Sequence, residues 1–178
     1  MKKGNWLGDE LIESIVSEGC KVVPVAHKHS LNSNIEWRHS FSVTEKIIAR
    51  SAVADVQYQC YIYFKMLRHL CLKHLQVISS YCLKTVFFHA CKVIPKPTWE
   101  THMGQCLLYL IDSLISCVKQ RNIPSFFIPG NNLVDDVPKE KWGDVEARLL
   151  EIRKDPITPV LKFTDSNAIS YTEIPFVF

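Results

Sequence analysis

The stretch that decides the fold is Ile35-Glu-Trp-Arg-His-Ser-Phe-Ser42, followed directly by Val43-Thr-Glu45. Side chains of a strand alternate between two faces, so one face here is apolar and aromatic and is predicted to pack. The opposite, polar face carries Glu36, Arg38, Ser40 and Ser42. Ser42-x-x-Glu45 matches a capping box, which begins a helix. The pattern predicts a strand-to-helix corner that presents a guanidinium and two hydroxyls for binding; an ordinary half-buried strand with a hydrated polar face is the alternative.

Composition predicts a folded chain with one strongly basic part. The 178 residues are 47% hydrophobic and 22% charged, values typical of a globular domain rather than a disordered chain. The net charge is only +3, but residues 20–99 hold eleven Lys and Arg against three acids, a local charge of +8. Such an excess attracts phosphate groups of a nucleotide or a nucleic acid. A hydrated basic face without a ligand is the alternative.

The seven cysteines predict buried, reduced thiols rather than a disulfide framework or a zinc site. Their number is odd, most lie in apolar stretches with helical periodicity, and no C-x-x-C occurs. His27 and His29, near Cys20, are interpreted as a hydrated loop pair. No apolar run reaches the length of a membrane span, and no apolar segment of a signal peptide follows Lys2 and Lys3. We therefore expect a cytoplasmic protein without a membrane anchor, with the nucleus as the alternative.

Periodicity predicts a mostly α fold, a helical bundle preceded by a short β/α segment. The first helix, Asp9–Ser17, is followed by Gly19 and by a strand at Lys21–Ala26. The later helices are predicted at Ser42–Arg50, Val56–Leu75, Ser79–Pro95, Thr98–Arg121 and Lys139–Lys154, with a long loop at Asn122–Val137. Trp99 and the apolar face from Met103 to Val118 are predicted to be core, and Phe126, Phe127 and Ile128 are predicted to attach the loop to the helices. Two strands and one helix make a poor sheet alone, so residues 1–41 are predicted to be the remnant of a larger α/β unit. Residues 42–160 form the predicted helical domain, and 161–178 a tail that is disordered or foreign to the fold.

The helix that starts at Ser79-Ser80 carries the features of an anion site. A helix start offers unsatisfied N–H groups and partial positive charge, which suit a phosphate. Tyr81 and Lys84 lie beside this start, and Lys65 belongs to a basic stripe on the preceding helix. The alternative is that Ser80 only caps, Tyr81 only packs and the stripe is a hydrated face.

In their order, these motifs resemble the C-terminal helical half of cyclic GMP-AMP synthase, the cGAS-like receptors and the male-abnormal-twenty-one (Mab) family. The resemblance covers about residues 5–160 and is specific only when its motifs are taken together. The motifs are Trp37-Arg-His-Ser-Phe-Ser42-x-x-Glu45-Lys46, Cys60 with Lys65, Ser79-Ser-Tyr81-x-x-Lys84-Thr85-x-Phe87-Phe-His89-x-Cys91, Trp99, and Phe127-Ile-Pro129-x-x-Asn132-Leu133.

The resemblance implies an HhH/H2TH-like helical lobe that faces a nucleotidyltransferase core across a cleft holding two nucleoside triphosphates and two divalent metals. It also implies that such a protein joins ATP and GTP into a cyclic dinucleotide in innate immune sensing of nucleic acid. By the same resemblance, Tyr81 stacks on a base, Lys65 and Ser80 contact phosphates, and Lys84 lies beside them. Arg38, Ser40 and Ser42 would face the donor or acceptor nucleotide. We expect all these residues to meet on one cleft wall.

The departures from the family pattern predict that this chain alone does not catalyse. Metal-assisted phosphoryl transfer needs carboxylates at the reacting phosphate, which the family supplies after a Gly-Ser loop. This sequence has no Gly-Ser dipeptide, and Asp9-Glu10 and Asp135-Asp136 lie elsewhere. We predict no catalytic residue and no metal or cofactor held by this chain; Mg²⁺ or Mn²⁺ would belong with the missing core. Residues 49–59 also lack the cysteines and histidine of the vertebrate zinc insertion, so no zinc is expected.

Two functions follow from these observations. The first is the nucleotide-facing lobe of a cGAS-like nucleotidyltransferase, with ATP, GTP or a cyclic dinucleotide as the ligand. The second is a non-catalytic helical module that binds double-stranded nucleic acid or a protein through the basic half. Nucleotide binding that depends on Tyr81 and Arg38 would favour the first function, and salt-sensitive duplex binding independent of Tyr81 would favour the second.

Overall fold

The computed structural model describes residues 6–25 and 35–166, with side chains as far as residue 163. The chain forms two compact units, one ending at Val53 and the other beginning at Ala54. The predicted His27–Asn34 loop lies outside the described residues, as does most of the 161–178 tail. The boundary predicted between residues 41 and 42 concerns the origin of the N-terminal segment and stays a prediction.

The first unit contains two helices and a short antiparallel pair of strands. Its elements are α1 (Asp9–Glu18), β1 (Lys21–Val23), β2 (Arg38–Ser40) and α2 (Ser42–Ser51). In the pair, Val22 lies opposite His39. Gly19 ends α1 with φ at +69°, in the left-handed region that favours glycine, and its N–H donates to the Val16 carbonyl at 3.2 Å. The helix end at Gly19 is therefore confirmed. The strand predicted for Lys21–Ala26 is present but ends at Val23, since Pro24 has no N–H to donate to a partner strand.

Two predictions about the Ile35–Glu45 stretch are wrong. The apolar face does not pack within the first unit, since Ile35 is 73% and Trp37 62% exposed. The two strands are only three residues long, and so small a sheet cannot cover a face of this size. Ser42 is the first residue of α2, while Phe41 occupies the N-cap without a side-chain cap bond. The capping motif therefore located the helix start, but its serine does not serve as the cap.

The second unit is all helical in its described residues and holds most of the core. Its helices are α3 (Asp55–Cys71), α4 (Ser80–Val93), α5 (Lys96–Thr101), α6 (Met103–Gln120), α7 (Trp142–Lys154) and α8 (Thr158–Ser166), with single 3-10 turns at Lys73–Leu75 and Lys139–Lys141. α3, α4 and α6 pack against one another, α7 packs on α6, and α8 packs on α3. The mostly α fold class is confirmed.

Helix boundaries differ from the predictions at breaks that lie inside apolar runs. The helix predicted to end at Leu75 ends at Cys71, and the chain turns through Gln76 in the left-handed conformation (φ 54°). The helix predicted for Thr98–Arg121 is divided between α5 and α6 at His102, whose φ is −138° and ψ 41°. Helical periodicity continues across both breaks, so the sequence pattern gave no sign of them.

An aromatic cluster at the centre of the second unit connects α3, α4 and α5. Phe87 is fully buried, and its ring centroid lies 4.8 Å from Tyr61, 6.0 Å from Phe88 and 5.9 Å from Trp99. The Trp99 Nε1–H donates to the Ile94 carbonyl at 3.3 Å, which satisfies the polar atom of a buried indole. Trp99 is therefore a core residue, as predicted.

The side chain of Asn132 makes three hydrogen bonds to the backbone at and near the long loop between α6 and α7. The Oδ1 of Asn132 accepts the backbone N–H groups of Ile123 and Val134 at 2.9 and 3.2 Å, and its Nδ2 donates to the Arg121 carbonyl at 3.0 Å. Phe126 and Phe127 pack on Phe88, as predicted. Ile128, predicted to anchor the loop, is 40% exposed, so that prediction is wrong. The side-chain bonds of Asn132 add to backbone bonds within the loop, among them Leu133 N–H to the Ile123 carbonyl at 2.9 Å.

His89 is expected to make the stability of the second unit depend on pH. Burial lowers the pKa of His89 and Lys92 lowers it further, although the bond to the Pro124 carbonyl at 3.3 Å acts in the opposite direction. The folded state thus favours neutral imidazole, and the free energy of unfolding falls as the pH drops from about 7.5 to about 5.5, through the unfolded pKa and towards the lower folded one. The measurement is urea unfolding at both pH values.

His89→Gln keeps a neutral donor for Pro124 and should remove this part of the pH dependence. The exposed His74, changed in the same way, serves as the matched control. Equal pH slopes for the wild type and His89→Gln would contradict the assignment to His89.

Five of the seven cysteines are buried free thiols, as predicted: Cys60, Cys71, Cys82, Cys91 and Cys106. Cys20 is exposed, so the prediction is wrong there, and Cys117 is half-buried. Within residues 6–25 and 35–166, each helix is too short or too polar to span a membrane.

Candidate functional site

The N-terminus of α4 is capped by a serine hydroxyl. Ser79 occupies the N-cap in extended conformation, and its Oγ accepts the backbone N–H of Cys82 at 3.2 Å. Ser80 is the first helical residue and is exposed. The alternative that Ser80 acts only as the cap is therefore wrong, because the structure assigns that role to Ser79. The hydroxyl of Ser80 is therefore not needed for the cap.

Lys65 is a buried cation on the neighbouring helix α3. Only 8% of the residue is exposed, and its Nζ lies 5.6 Å from the centroid of the Tyr61 ring. The Tyr61 ring stacks on Phe87 in the core, so the aromatic face beneath the ammonium is fixed. Lysine is rarely this buried without a specific reason.

Two neighbouring positive charges act on Lys65. Burial lowers the pKa of Lys65, and the positive charges of Lys84 and Arg68 lower it further. α3 and α4 thus bring three cations together beside the start of α4. An anion placed among them would relieve the repulsion and form charge-assisted hydrogen bonds, so phosphate recognition is the chemistry that this arrangement favours.

Tyr81 and Lys84 lie one turn apart on α4, and both are half-buried. Residues at this spacing share a helix face, so an aromatic ring and an ammonium stand next to the exposed Ser80. Four predicted site residues therefore belong to the second unit: Lys65, Ser80, Tyr81 and Lys84.

Arg68 is a residue of this site that the predicted set omitted. It lies one turn after Lys65 on α3, and its Nε–H donates to the carbonyl of Ile78 at 2.8 Å. Ile78 directly precedes the capping Ser79. The signal in the sequence was the basic stripe on α3, but that pattern could not tell a hydrated arginine from one that holds the next helix start.

The other three predicted residues belong to the first unit. Arg38 and Ser42 are exposed, and the Ser40 Oγ donates to the Ser42 Oγ at 3.3 Å. The structure therefore brings the two hydroxyls together at the start of α2. That Arg38, Ser40 and Ser42 meet the α3–α4 residues on one cleft wall stays a prediction.

The described residues do not fit a catalytic metal centre. No group of three or more His, Cys, Asp or Glu side chains in residues 6–25 and 35–163 is arranged to hold a metal ion. No reaction step through magnesium or manganese can therefore be derived from these residues.

The sequence of the chain is similar to those of known proteins over most of its helical unit. The sequence model of the Mab-21 protein HhH/H2TH-like domain matches residues 58–151, which include all of the site on α3 and α4. Protein mab-21-like 3 of Danio rerio is 26% identical over 132 residues, 71% of this chain and 34% of that protein. A cyclic GMP-AMP synthase-like receptor of Drosophila eugracilis is 25% identical over 101 residues, 57% of this chain and 26% of that receptor.

This chain thus spans about a third or less of these curated relatives. The matched domain nonetheless covers more than half of the chain itself, and the resemblance noted from the motifs is confirmed. The chain belongs to the Mab-21 family and carries its HhH/H2TH-like domain.

Proposed function

We propose that the second unit is the nucleotide-facing lobe of a cGAS-like nucleotidyltransferase and binds a nucleoside triphosphate at the start of α4. The observation that carries this proposal is the buried Lys65, held among Lys84 and Arg68 beside a capped helix start. Three cations and the partial positive charge of the α4 N-terminus match the charge of a polyphosphate. Membership of the Mab-21 family and the similarity to a cGAS-like receptor support the nucleotide as the source of that phosphate.

In this proposal each residue has a distinct task. Tyr81 stacks on the base, while Lys65, Ser80 and Lys84 bind phosphate oxygens. Arg38, Ser40 and Ser42 contact the second nucleotide. The whole protein would join ATP and GTP into a cyclic dinucleotide in innate immune sensing, with carboxylates and divalent metal from a nucleotidyltransferase core. The free thiols agree with a reducing compartment, the cytoplasm or the nucleus.

Tyr81→Ala tests the base-stacking role. We expect the affinity for ATP to fall about tenfold, because stacking of one base on an aromatic ring contributes about 1–3 kcal/mol. The affinity for inorganic triphosphate should not change, since that ligand has no base. Tyr81→Phe should bind ATP like the wild type. The measurement is isothermal titration of the full 178-residue chain, with Tyr109→Ala, an exposed tyrosine of α6, as the control.

An equal loss of affinity for ATP and for inorganic triphosphate in Tyr81→Ala would contradict the proposal. Absence of ATP binding by the wild type would contradict it as well. The same preparation incubated with ATP, GTP and Mg²⁺ should form no cyclic dinucleotide. A product made by this chain alone would show that it carries catalytic groups that the proposal assigns to another segment.

A module that binds double-stranded nucleic acid is the second candidate. The observation favouring it is the charge of +8 over residues 20–99. Phosphate contacts of this kind weaken steeply with salt and do not depend on a base-stacking tyrosine. Duplex RNA binding with a steep salt slope that is unchanged in Tyr81→Ala would therefore favour this candidate over the nucleotide lobe.

A further inference from the structure

Arg68 joins two helices of the candidate site through its backbone contact. It projects from α3, one turn beyond Lys65, and its Nε–H reaches the Ile78 carbonyl at 2.8 Å. Ile78 is buried and lies immediately before the N-cap of α4. The bond therefore fixes the point where α4 begins relative to the basic face of α3.

The chain needs such a contact here because its backbone makes a tight reversal. The 3-10 turn Lys73–Leu75 ends at Gln76, a non-glycine residue in the left-handed conformation at φ 54°. This conformation is unfavourable for residues with a side chain and is retained only where the surroundings hold it. The bond from Arg68 to the carbonyl of Ile78, two residues after Gln76, supplies part of that restraint.

The guanidinium has more donors than this bond uses. Arginine carries five N–H donors in one plane, and the bond to Ile78 uses the single donor on Nε. The four donors on the two Nη atoms remain in the same fixed plane, and bidentate phosphate recognition requires such a preorganised fork. A lysine could supply the charge but could not hold the carbonyl and present a fork at once.

The positive charge of Arg68 acts on residues of both α3 and α4. The charge of Arg68 lowers the pKa of Lys65 on α3. Burial raises the pKa of Cys82 in the first turn of α4, and the charge of Arg68 acts against that rise. Arg68 therefore lies close enough to add a third positive charge to Lys65 and Lys84. A triphosphate gains more from a third cation than a monophosphate does, because its negative charge is larger and more extended.

We propose that Arg68 is both a positioning residue and a phosphate ligand: its Nε–H fixes the start of α4 through Ile78, and its Nη atoms select a triphosphate over a monophosphate. This inference rests on the proposed nucleotide site and adds the residue that sets its preference for phosphate number.

Two substitutions separate the two tasks. Arg68→Gln keeps an amide donor for the Ile78 carbonyl but removes the charge and the fork. Arg68→Lys keeps the charge but removes the planar fork. Lys92→Gln, an exposed lysine near the far end of α4, controls for the loss of one positive charge anywhere on the chain. The probes are ATP, AMP and inorganic triphosphate, titrated into the full chain, with the urea unfolding midpoint measured for every variant.

We expect Arg68→Gln to lower the ratio of ATP to AMP affinity about tenfold, the effect of losing one hydrogen-bonded charge pair. Arg68→Lys should lower the same ratio by a smaller factor, and Lys92→Gln should leave it unchanged. An unchanged ratio in Arg68→Gln would overturn the inference even if its unfolding midpoint falls, because a purely structural arginine alters stability without altering phosphate selectivity. Wild-type behaviour of Arg68→Lys would overturn the role of the planar fork.

The outcomes distinguish this inference from the proposed function. If Arg68→Gln weakens the binding of inorganic triphosphate but Tyr81→Ala leaves ATP binding intact, the nucleotide assignment fails and the role of Arg68 stands. If Tyr81→Ala weakens ATP binding and Arg68→Gln does not change the ratio of ATP to AMP affinity, the nucleotide assignment stands and the role of Arg68 fails. Absence of binding to all three probes would overturn both.

Discussion

Phe87→Ala is expected to lower the free energy of unfolding of the second unit by about 3–5 kcal/mol, the usual cost of removing a buried aromatic ring. Phe87 is fully buried, and its ring contacts Tyr61, Phe88 and Trp99. Its removal leaves a cavity among large rings on three helices, which cannot easily collapse to fill it. The loss is a large fraction of the stability of a typical domain, about 5–15 kcal/mol. Urea unfolding followed by circular dichroism measures the change.

The exposed Tyr109 of α6 provides the matched control for Phe87. Tyr109→Ala also removes an aromatic ring from a helix, but the change in unfolding free energy should stay within about 0.5 kcal/mol, as for most surface substitutions. Similar losses for the two variants would mean that Phe87 is not at the centre of the core.

Lys65→Met is expected to raise the stability of the second unit and to weaken its binding of ATP. Burial and two neighbouring cations lower the pKa of Lys65, so its charge opposes folding at neutral pH. Methionine removes that charge and retains an unbranched apolar side chain over Tyr61, so the unfolding midpoint should rise. ATP binding should weaken at least about tenfold through the loss of one charge-assisted contact. Opposite signs of this kind are typical of a binding residue that is retained at a cost in stability.

Urea unfolding and ATP titration of Lys65→Met test this expectation together. Lys92→Met at the far end of α4 is the control, because Lys92 is exposed and should affect neither quantity. A fall in stability of Lys65→Met would show that its charge is compensated within the fold. Unchanged ATP affinity would remove Lys65 from the proposed site.

Local signals explain why much of the helical unit could be predicted. Gly19 ends α1 and a serine hydroxyl caps α4, and both depend on backbone conformations that few residues favour. The apolar face of α6 repeats at helical spacing, and its predicted members from Leu107 to Val118 are buried. Each of these features is encoded within a few residues, so one sequence is enough to reveal it.

Tertiary features could not be predicted in the same way. Periodicity assigned Ile35 and Trp37 to a packed face, but a strand packs only if a partner covers it, and the short pair in the first unit leaves both exposed. The same limit applies to the stripe on α3. The sequence pattern placed Lys65 and Arg68 on one face with Lys73, but α3 ends before Lys73, which is exposed in the following 3-10 turn. Lys65 is buried over the Tyr61 ring, and Arg68 holds the carbonyl of Ile78 in the α3–α4 connection. Neighbouring elements decide these roles, since Phe87 of α4 stacks on that ring and Ile78 lies ten residues beyond Arg68.

The buried thiols allow the unfolding of this chain to be followed by chemical labelling of its own cysteines. Burial raises the pKa of Cys60 to about 12, and it also raises the pKa of Cys91, so almost no thiolate is available in the native state. An alkylating reagent would therefore modify the exposed Cys20 first and reach the five buried sulfurs only when the helical unit opens. The rate of that slower labelling, followed by intact mass, measures how often the helical unit opens without attaching any foreign probe.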